Sequence, residues 1–172
     1  NISRDVFLGQ AANEHQVKSL DLSRYKVIAF ATHGLIPGDL DGLAQPALAL
    51  SSPEVVGGEE DGLLTMNEIF GLKLNADWVV LSACNTGAGG GAGAEAISGL
   101  GRAFLYAGAR ALLVSNWPVE TTSAKALTTG LFKRQAANSN LSRAGALRQT
   151  MLNLINRGGY RDPESESMVF SY

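Results

Sequence analysis

Two residues whose side chains could act together in covalent chemistry stand at equivalent places in the sequence. His33 follows the apolar run at 26–32 (KVIAFAT), and Cys84 follows a second apolar run at 78–83 (WVVLSA). A thiolate can attack a carbonyl carbon, and an imidazole can donate a proton to the departing group. Each residue also has a structural interpretation, because a lone cysteine is more often a small buried hydrophobe and a lone histidine a hydrogen-bonded loop residue.

The elements that must position these residues follow from the hydrophobic pattern. Continuous apolar runs at 26–32, 78–83 and 110–115 predict strands buried on both faces, as in a parallel sheet. Strands that alternate with helices predict an α/β layered domain with a mostly parallel central sheet flanked by helices. Further elements are expected at 5–8 (a short strand), 46–50 (a strand), and 11–20, 65–70 and 95–107 (helices). Thr65 and Glu68 have the spacing of a capping box at the start of the helix at 65–70. Two later helices are expected, one with Ala124, Leu127 and Leu131 on one face and one with Ala144, Leu147, Met151 and Leu154 on one face.

Functional groups in such sheets gather beyond the carboxyl ends of the strands. We therefore expect the strands that precede His33 and Cys84 to be parallel neighbours, with both side chains facing one cleft. The backbone N–H groups of Gly34 and Cys84 are the candidate donors to an oxyanion. The glycine-rich stretch at 87–93 lacks the Lys-Ser or Lys-Thr ending of a phosphate-binding loop. We interpret it as a mobile loop that admits an extended peptide backbone, or alternatively as a flexible crossover without a function of its own.

Composition excludes several other classes of function. The formal net charge is −2 with scattered charges, which is not the basic footprint of a nucleic-acid binder. No apolar run is long enough to span a bilayer. One cysteine and two histidines form no metal-ligand cluster, and no cofactor is expected; His15 is expected to be a surface residue. The single cysteine also forbids an intrachain disulfide and favours a reducing, cytoplasmic compartment.

The length of 172 residues fits one domain, and 45% hydrophobic residues supply a packed core. The chain begins with Asn1 rather than Met. We therefore predict that residues 1–172 form a single domain that is a fragment of a larger protein.

Three motifs now point to a family. The segments 30–34 (FATHG), 81–87 (LSACNTG) and 115–119 (SNWPV) together resemble the CHAT family, caspase-like domains often attached to tetratricopeptide repeats. The resemblance implies a caspase-haemoglobinase-like fold and hydrolysis of peptide bonds, with His33 and Cys84 as the catalytic pair. Their separation of 51 residues (84 − 33) is close to that of caspases. It also implies a protein or peptide as substrate and a possible regulatory repeat domain in the same chain.

The loop after the third apolar run is the candidate specificity pocket, formed by Asn116, Trp117 and Glu120. Because Glu120 is its one charged residue, we predict Arg or Lys before the cleaved bond. Alternatively, Glu120 stabilises the N-terminus of the following helix. Many CHAT members carry two acidic residues after Trp-Pro-Val, whereas Thr121 follows Glu120 here, and the chain lacks a final His-Pro-x-x-Trp-Ala-Pro segment.

Two functions compete with a cysteine endopeptidase. The chain could be a non-catalytic interaction module that has kept the fold, although such a module needs neither His33 nor Cys84. A hydrolase that uses Ser82 or Ser115 is disfavoured, because no Gly-x-Ser-x-Gly turn is present.

Overall fold

The computed structural model describes residues 5–82, 92–115, 121–157, 160–161 and 168–169. These residues group into two compact units, Asn1–Pro118 and Val119–Tyr172. The strands are β1 (Val27–Phe30), β2 (Gly34–Leu35), β3 (Ala47–Ala49), β4 (Leu63–Thr65), β5 (Trp78–Leu81), β6 (Leu112–Val114), β7 (Tyr160–Arg161) and β8 (Met168–Val169). The helices are α1 (Glu14–Ser19), α2 (Pro53–Val56), α3 (Met66–Gly71), α4 (Ala92–Tyr106), α5 (Thr121–Ala137) and α6 (Arg143–Asn156).

The central sheet is parallel and has the order β1-β5-β6. All four residues of β5 are buried, as the apolar run at 78–83 predicts. Helix α4 packs on this sheet, where Leu100 and Phe104 are buried and the Phe104 ring lies 5.5 Å from that of Phe30. The predicted α/β layered fold, with a parallel sheet flanked by helices, is confirmed.

Strand β1 departs from the expectation of burial on both faces. Val27 is 39% exposed and Ala29 is exposed, while Phe30 is buried. The reason is position, because β1 is at the end of the sheet and among the described residues has a strand partner on one side only. Residues 5–8, expected to form a strand, belong to none.

A second, antiparallel sheet in the order β2-β3-β4 follows β1 in the chain. Its last strand leads into α3, where Thr65 and Glu68 form the predicted capping box. The Glu68 carboxylate accepts from the backbone N–H and from the hydroxyl of Thr65, at 2.8 and 2.7 Å. These two bonds, both donated by Thr65, fix the start of α3 against the end of β4.

In the second unit α5 and α6 approach closely. A Cβ on Gly130 would lie 2.7 Å from Cγ2 of Thr150, so glycine is needed for this contact. Thr150 and Ala146 are the buried residues of α6. The predicted apolar face is therefore wrong for Ala144 and Met151, which are exposed, because the small-residue contact turns Ala146 and Thr150 inward.

Replacement of Gly108 tests the junction between α4 and β6. Its φ is +116°, and a Cβ there would lie 2.3 Å from the Leu74 carbonyl oxygen. We expect Gly108→Ala to lower the free energy of unfolding by about 2–4 kcal/mol, measured by urea denaturation. Gly42→Ala is the matched control, since φ is +81° but the space is open; equal losses for both variants would contradict the contact with Leu74.

Candidate active site

The register of β1 and β5 sets the geometry of the candidate site. Val27 pairs with Trp78 and Phe30 with Leu81, so partners are 51 positions apart (78 − 27 and 81 − 30). The Ser82 N–H extends the pairing by donating to the Phe30 carbonyl at 2.9 Å. The predicted parallel neighbours are thus confirmed, and each strand's carboxyl end leads towards one candidate residue.

His33 lies beyond the end of β1 with its side chain exposed. Its backbone is held by β3, because the Ala49 N–H donates to the His33 carbonyl at 2.9 Å. The preceding Thr32 hydroxyl donates to the Ala49 carbonyl. The imidazole therefore stands on a fixed backbone while its ring reaches solvent.

Gly34 is buried and pairs with Leu48 across β2 and β3. Opposed residues in an antiparallel ladder alternate between hydrogen-bonded and non-hydrogen-bonded pairs. Since His33 and Ala49 form a hydrogen-bonded pair, Gly34 and Leu48 form the other kind, and the Gly34 N–H points away from β3. The Gly34 N–H can therefore donate to an acceptor that does not belong to β3.

The remaining predicted site residues lie outside the described residues. These are Cys84, which is also the second candidate oxyanion donor, and the candidate pocket residues Asn116, Trp117 and Glu120. Of the sequence-derived site the structure describes His33 and Gly34. His15, expected at the surface, is exposed on α1.

A cluster of charged side chains that sequence analysis missed joins α1 to α3 and to the loop before β4. The Lys18 ammonium contacts the carboxylates of Glu14, Glu60 (2.9 Å) and Glu68 (2.5 Å). Among the side chains that the structure describes, these three carboxylates are the one group of three or more potential metal ligands whose ligand atoms lie close together. The Lys18 ammonium is the cation that contacts all three. The i, i+4 spacing of Glu14 and Lys18 could have predicted their ion pair. The contacts of Lys18 with Glu60 and Glu68, which are 42 and 50 positions away in the sequence, leave no local pattern.

Glu14 connects this cluster to the backbone of His33. Its buried carboxylate accepts from the Gly62 N–H at 3.1 Å. The Gly62 carbonyl in turn accepts from the Leu50 N–H at 2.7 Å, next to Ala49, which holds His33. The cluster thus fixes the loop before β4 against β3, and β3 fixes His33.

The carboxylates of the cluster differ in acidity. Burial raises the pKa of Glu14 to about 7, against the opposing hydrogen bond from Lys18. For Glu68, burial is outweighed by hydrogen bonds from Lys18 and Thr65, which lower its pKa to about 2. Lys18 is itself partly desolvated, but its three carboxylate partners raise its pKa above the usual range. Near neutral pH, Glu14 is therefore the titrating member.

The fold and these positions together define a caspase-like α/β domain, with His33 beyond the strand that pairs with the one leading to Cys84. The family model of the CHAT domain matches residues 2–168, so this chain belongs to the CHAT domain family, which is related to caspase-like peptidases. A comparison with curated proteins found no match. Among the described helices, none combines the length and apolar character that crossing a bilayer requires.

The titration of Glu14 predicts how stability depends on pH. Because its folded pKa of about 7 lies above the ordinary value of 4.5, its stabilising contribution is complete below pH 4.5 and is lost as pH rises through 7. We expect wild type to lose about 1–3 kcal/mol relative to Glu14→Gln between pH 5 and pH 8.5, measured by urea denaturation.

Glu59→Gln, at an exposed glutamate in the same loop, is the control and should follow the wild-type pH profile. Parallel profiles for wild type and Glu14→Gln would show that Glu14 does not titrate in this range.

Proposed function

We propose that this chain is a cysteine endopeptidase that hydrolyses peptide bonds in a protein or peptide substrate through His33 and Cys84. The observation that carries the proposal is the register of the central sheet. Partners on β1 and β5 are 51 positions apart, and His33 and Cys84 are separated by the same number. In the sequence, His33 follows Phe30 by three positions and Cys84 follows Leu81 by three positions, and Phe30 and Leu81 are register partners. Folds of this kind gather their functional groups beyond the carboxyl ends of the strands.

The proposed reaction proceeds through an acyl-enzyme thioester, and His33 acts first as an acid and then as a base. The Cys84 thiolate attacks the scissile carbonyl carbon, and the His33 imidazolium protonates the leaving amine as the C–N bond breaks. The N–H groups of Gly34 and Cys84 stabilise the oxyanion. Water, deprotonated by His33, then hydrolyses the thioester and releases the acid and the thiol. The direction of the Gly34 N–H, away from β3, supports its role.

Labelling by an electrophilic peptide probe tests the pair directly. The chain has a single cysteine, so covalent labelling reports on Cys84 alone. We expect Cys84→Ala to abolish both labelling and cleavage. His33→Ala should lower turnover by roughly 10²–10⁴-fold, because it removes positioned proton transfer.

His15→Ala is the matched control, since His15 is the other histidine and is exposed on α1. Wild-type cleavage by Cys84→Ala would overturn the peptidase proposal. A chain that folds and binds peptides but neither labels nor cleaves them would instead support the alternative, a non-catalytic interaction module of the CHAT fold.

We further propose that Asn116, Trp117 and Glu120 wall the pocket for the residue before the cleaved bond, and that Glu120 selects Arg or Lys. The competing role for Glu120 is to stabilise α5, which begins at the next residue, Thr121. With matched peptides that carry Arg, Asp or Leu, wild type should prefer Arg, and Glu120→Gln should reduce that preference by about 10-fold or more.

Glu59→Gln should keep the wild-type preference. An Arg preference unchanged in Glu120→Gln, together with a lower melting temperature, would assign Glu120 to the helix instead. We also propose, from the family, that a repeat domain in the same chain regulates the peptidase. From the single cysteine we propose that the peptidase acts in the reducing environment of the cytoplasm.

A further inference from the structure

A series of hydrogen bonds connects a buried carboxyl group on α1 to the backbone of His33. Glu14 is 1% exposed, and its Oε2 accepts from the buried Gly62 N–H at 3.1 Å. The Gly62 carbonyl accepts from the Leu50 N–H at 2.7 Å, and the neighbouring Ala49 N–H donates to the His33 carbonyl at 2.9 Å. We call these three bonds the Glu14–His33 path.

The middle of this path is closely packed. Gly62 has a φ of +79°, and a Cβ there would lie 3.1 Å from the Ser51 carbonyl oxygen. On its other side Ser51 is tied to the segment before α1, since its N–H donates to the Ala12 carbonyl at 3.0 Å and its hydroxyl to the Gly9 carbonyl at 2.6 Å. The residues after β3 are therefore held between two segments, and a displacement of Gly62 moves the end of β3 with it.

The carboxyl group of Glu14 supplies the one side-chain bond of the path. If it were removed, the buried Gly62 N–H would lose its acceptor, and a buried donor without a partner is costly. Lys18 would also lose the most buried of its three partners. The loop before β4 would then shift to find other partners, and the end of β3 would shift with it.

The path also senses the protonation state of Glu14. The charged groups that face this carboxyl are Lys18 on its own helix, Glu60 in the loop before β4 and Glu68 on α3. Burial, together with the two neighbouring carboxylates and against the hydrogen bond from Lys18, raises the pKa of Glu14 to about 7. The cluster thus accommodates the neutral carboxyl better, and the neutral form still offers an oxygen to the Gly62 N–H.

We propose that Glu14 is a positioning residue of the peptidase, whose neutral carboxyl group keeps the Glu14–His33 path intact and so fixes the backbone that carries the His33 imidazole. The inference rests on the proposed peptidase function for its effect on turnover. A displacement of about 1 Å at a catalytic group can lower the rate about 100-fold. Ionisation of Glu14 would weaken the path and regulate the site through pH.

Amide hydrogen exchange in the full chain tests the path without turnover. Glu14→Leu removes the acceptor, and the Gly62 and Ala49 amides should lose protection by about 10-fold or more. Glu14→Gln keeps an amide oxygen in place of the neutral carboxyl and should retain the protection. The amides of β5 should be protected as in wild type in both variants, which separates a local change from general loss of stability.

Turnover of a peptide substrate tests the consequence for the site. At pH 6, kcat of Glu14→Leu should be about 10-fold to 100-fold below wild type at an unchanged KM, and Glu14→Gln should restore it. Between pH 6 and pH 8.5, kcat of wild type should fall about 3-fold to 10-fold relative to Glu14→Gln. Titration of His33 and Cys84 is common to both proteins and cancels in this ratio.

Glu59→Leu makes the same change at an exposed glutamate of the same loop and should match wild type in both measurements. Wild-type protection of the Ala49 amide in Glu14→Leu would overturn the inference, as would an equal loss of protection in β5. A kcat ratio that is constant between pH 6 and pH 8.5 would overturn the regulation by pH. Absence of cleavage by wild type, with protection lost only along the path, would refute the peptidase and retain the support of the His33 backbone by Glu14.

Discussion

The in-register pairing of β1 with β5 is the constraint on which the rest of the candidate site depends. Parallel strands place their carboxyl ends at one edge of the sheet, and register decides which residues leave that edge together. Here the register offset equals the spacing of His33 and Cys84. A slip of one residue would invert the faces of Phe30 and its neighbours, and the contact between Phe30 and Phe104 opposes it. Core packing therefore maintains the alignment that the proposed chemistry needs.

The antiparallel sheet β2-β3-β4 and the ion pairs of Lys18 hold the backbone at His33 in place. The sheet β2-β3-β4 bonds to the His33 carbonyl through Ala49, and Lys18 with its three carboxylates anchors the loop before β4. Burying Glu14 costs free energy when it is ionised, and its raised pKa reflects that cost. The ammonium and the Gly62 N–H offset part of it. Support for the backbone at the exposed His33 thus comes from a buried carboxylate on α1, through the Gly62 hydrogen bonds to Glu14 and Leu50.

The sequence predicted the parts of the fold that local pattern controls. The apolar run of β5 and the capping box of Thr65 and Glu68 were correctly interpreted, because burial on two faces and a helix start each leave a local signature. The same patterns did not predict the exposure of β1 or the face of α6 that is buried. The hydrophobic pattern shows which residues are apolar, but their burial depends on which helices and strands pack against them. The contacts of Lys18 with Glu60 and Glu68 join distant segments, and no local spacing encodes them.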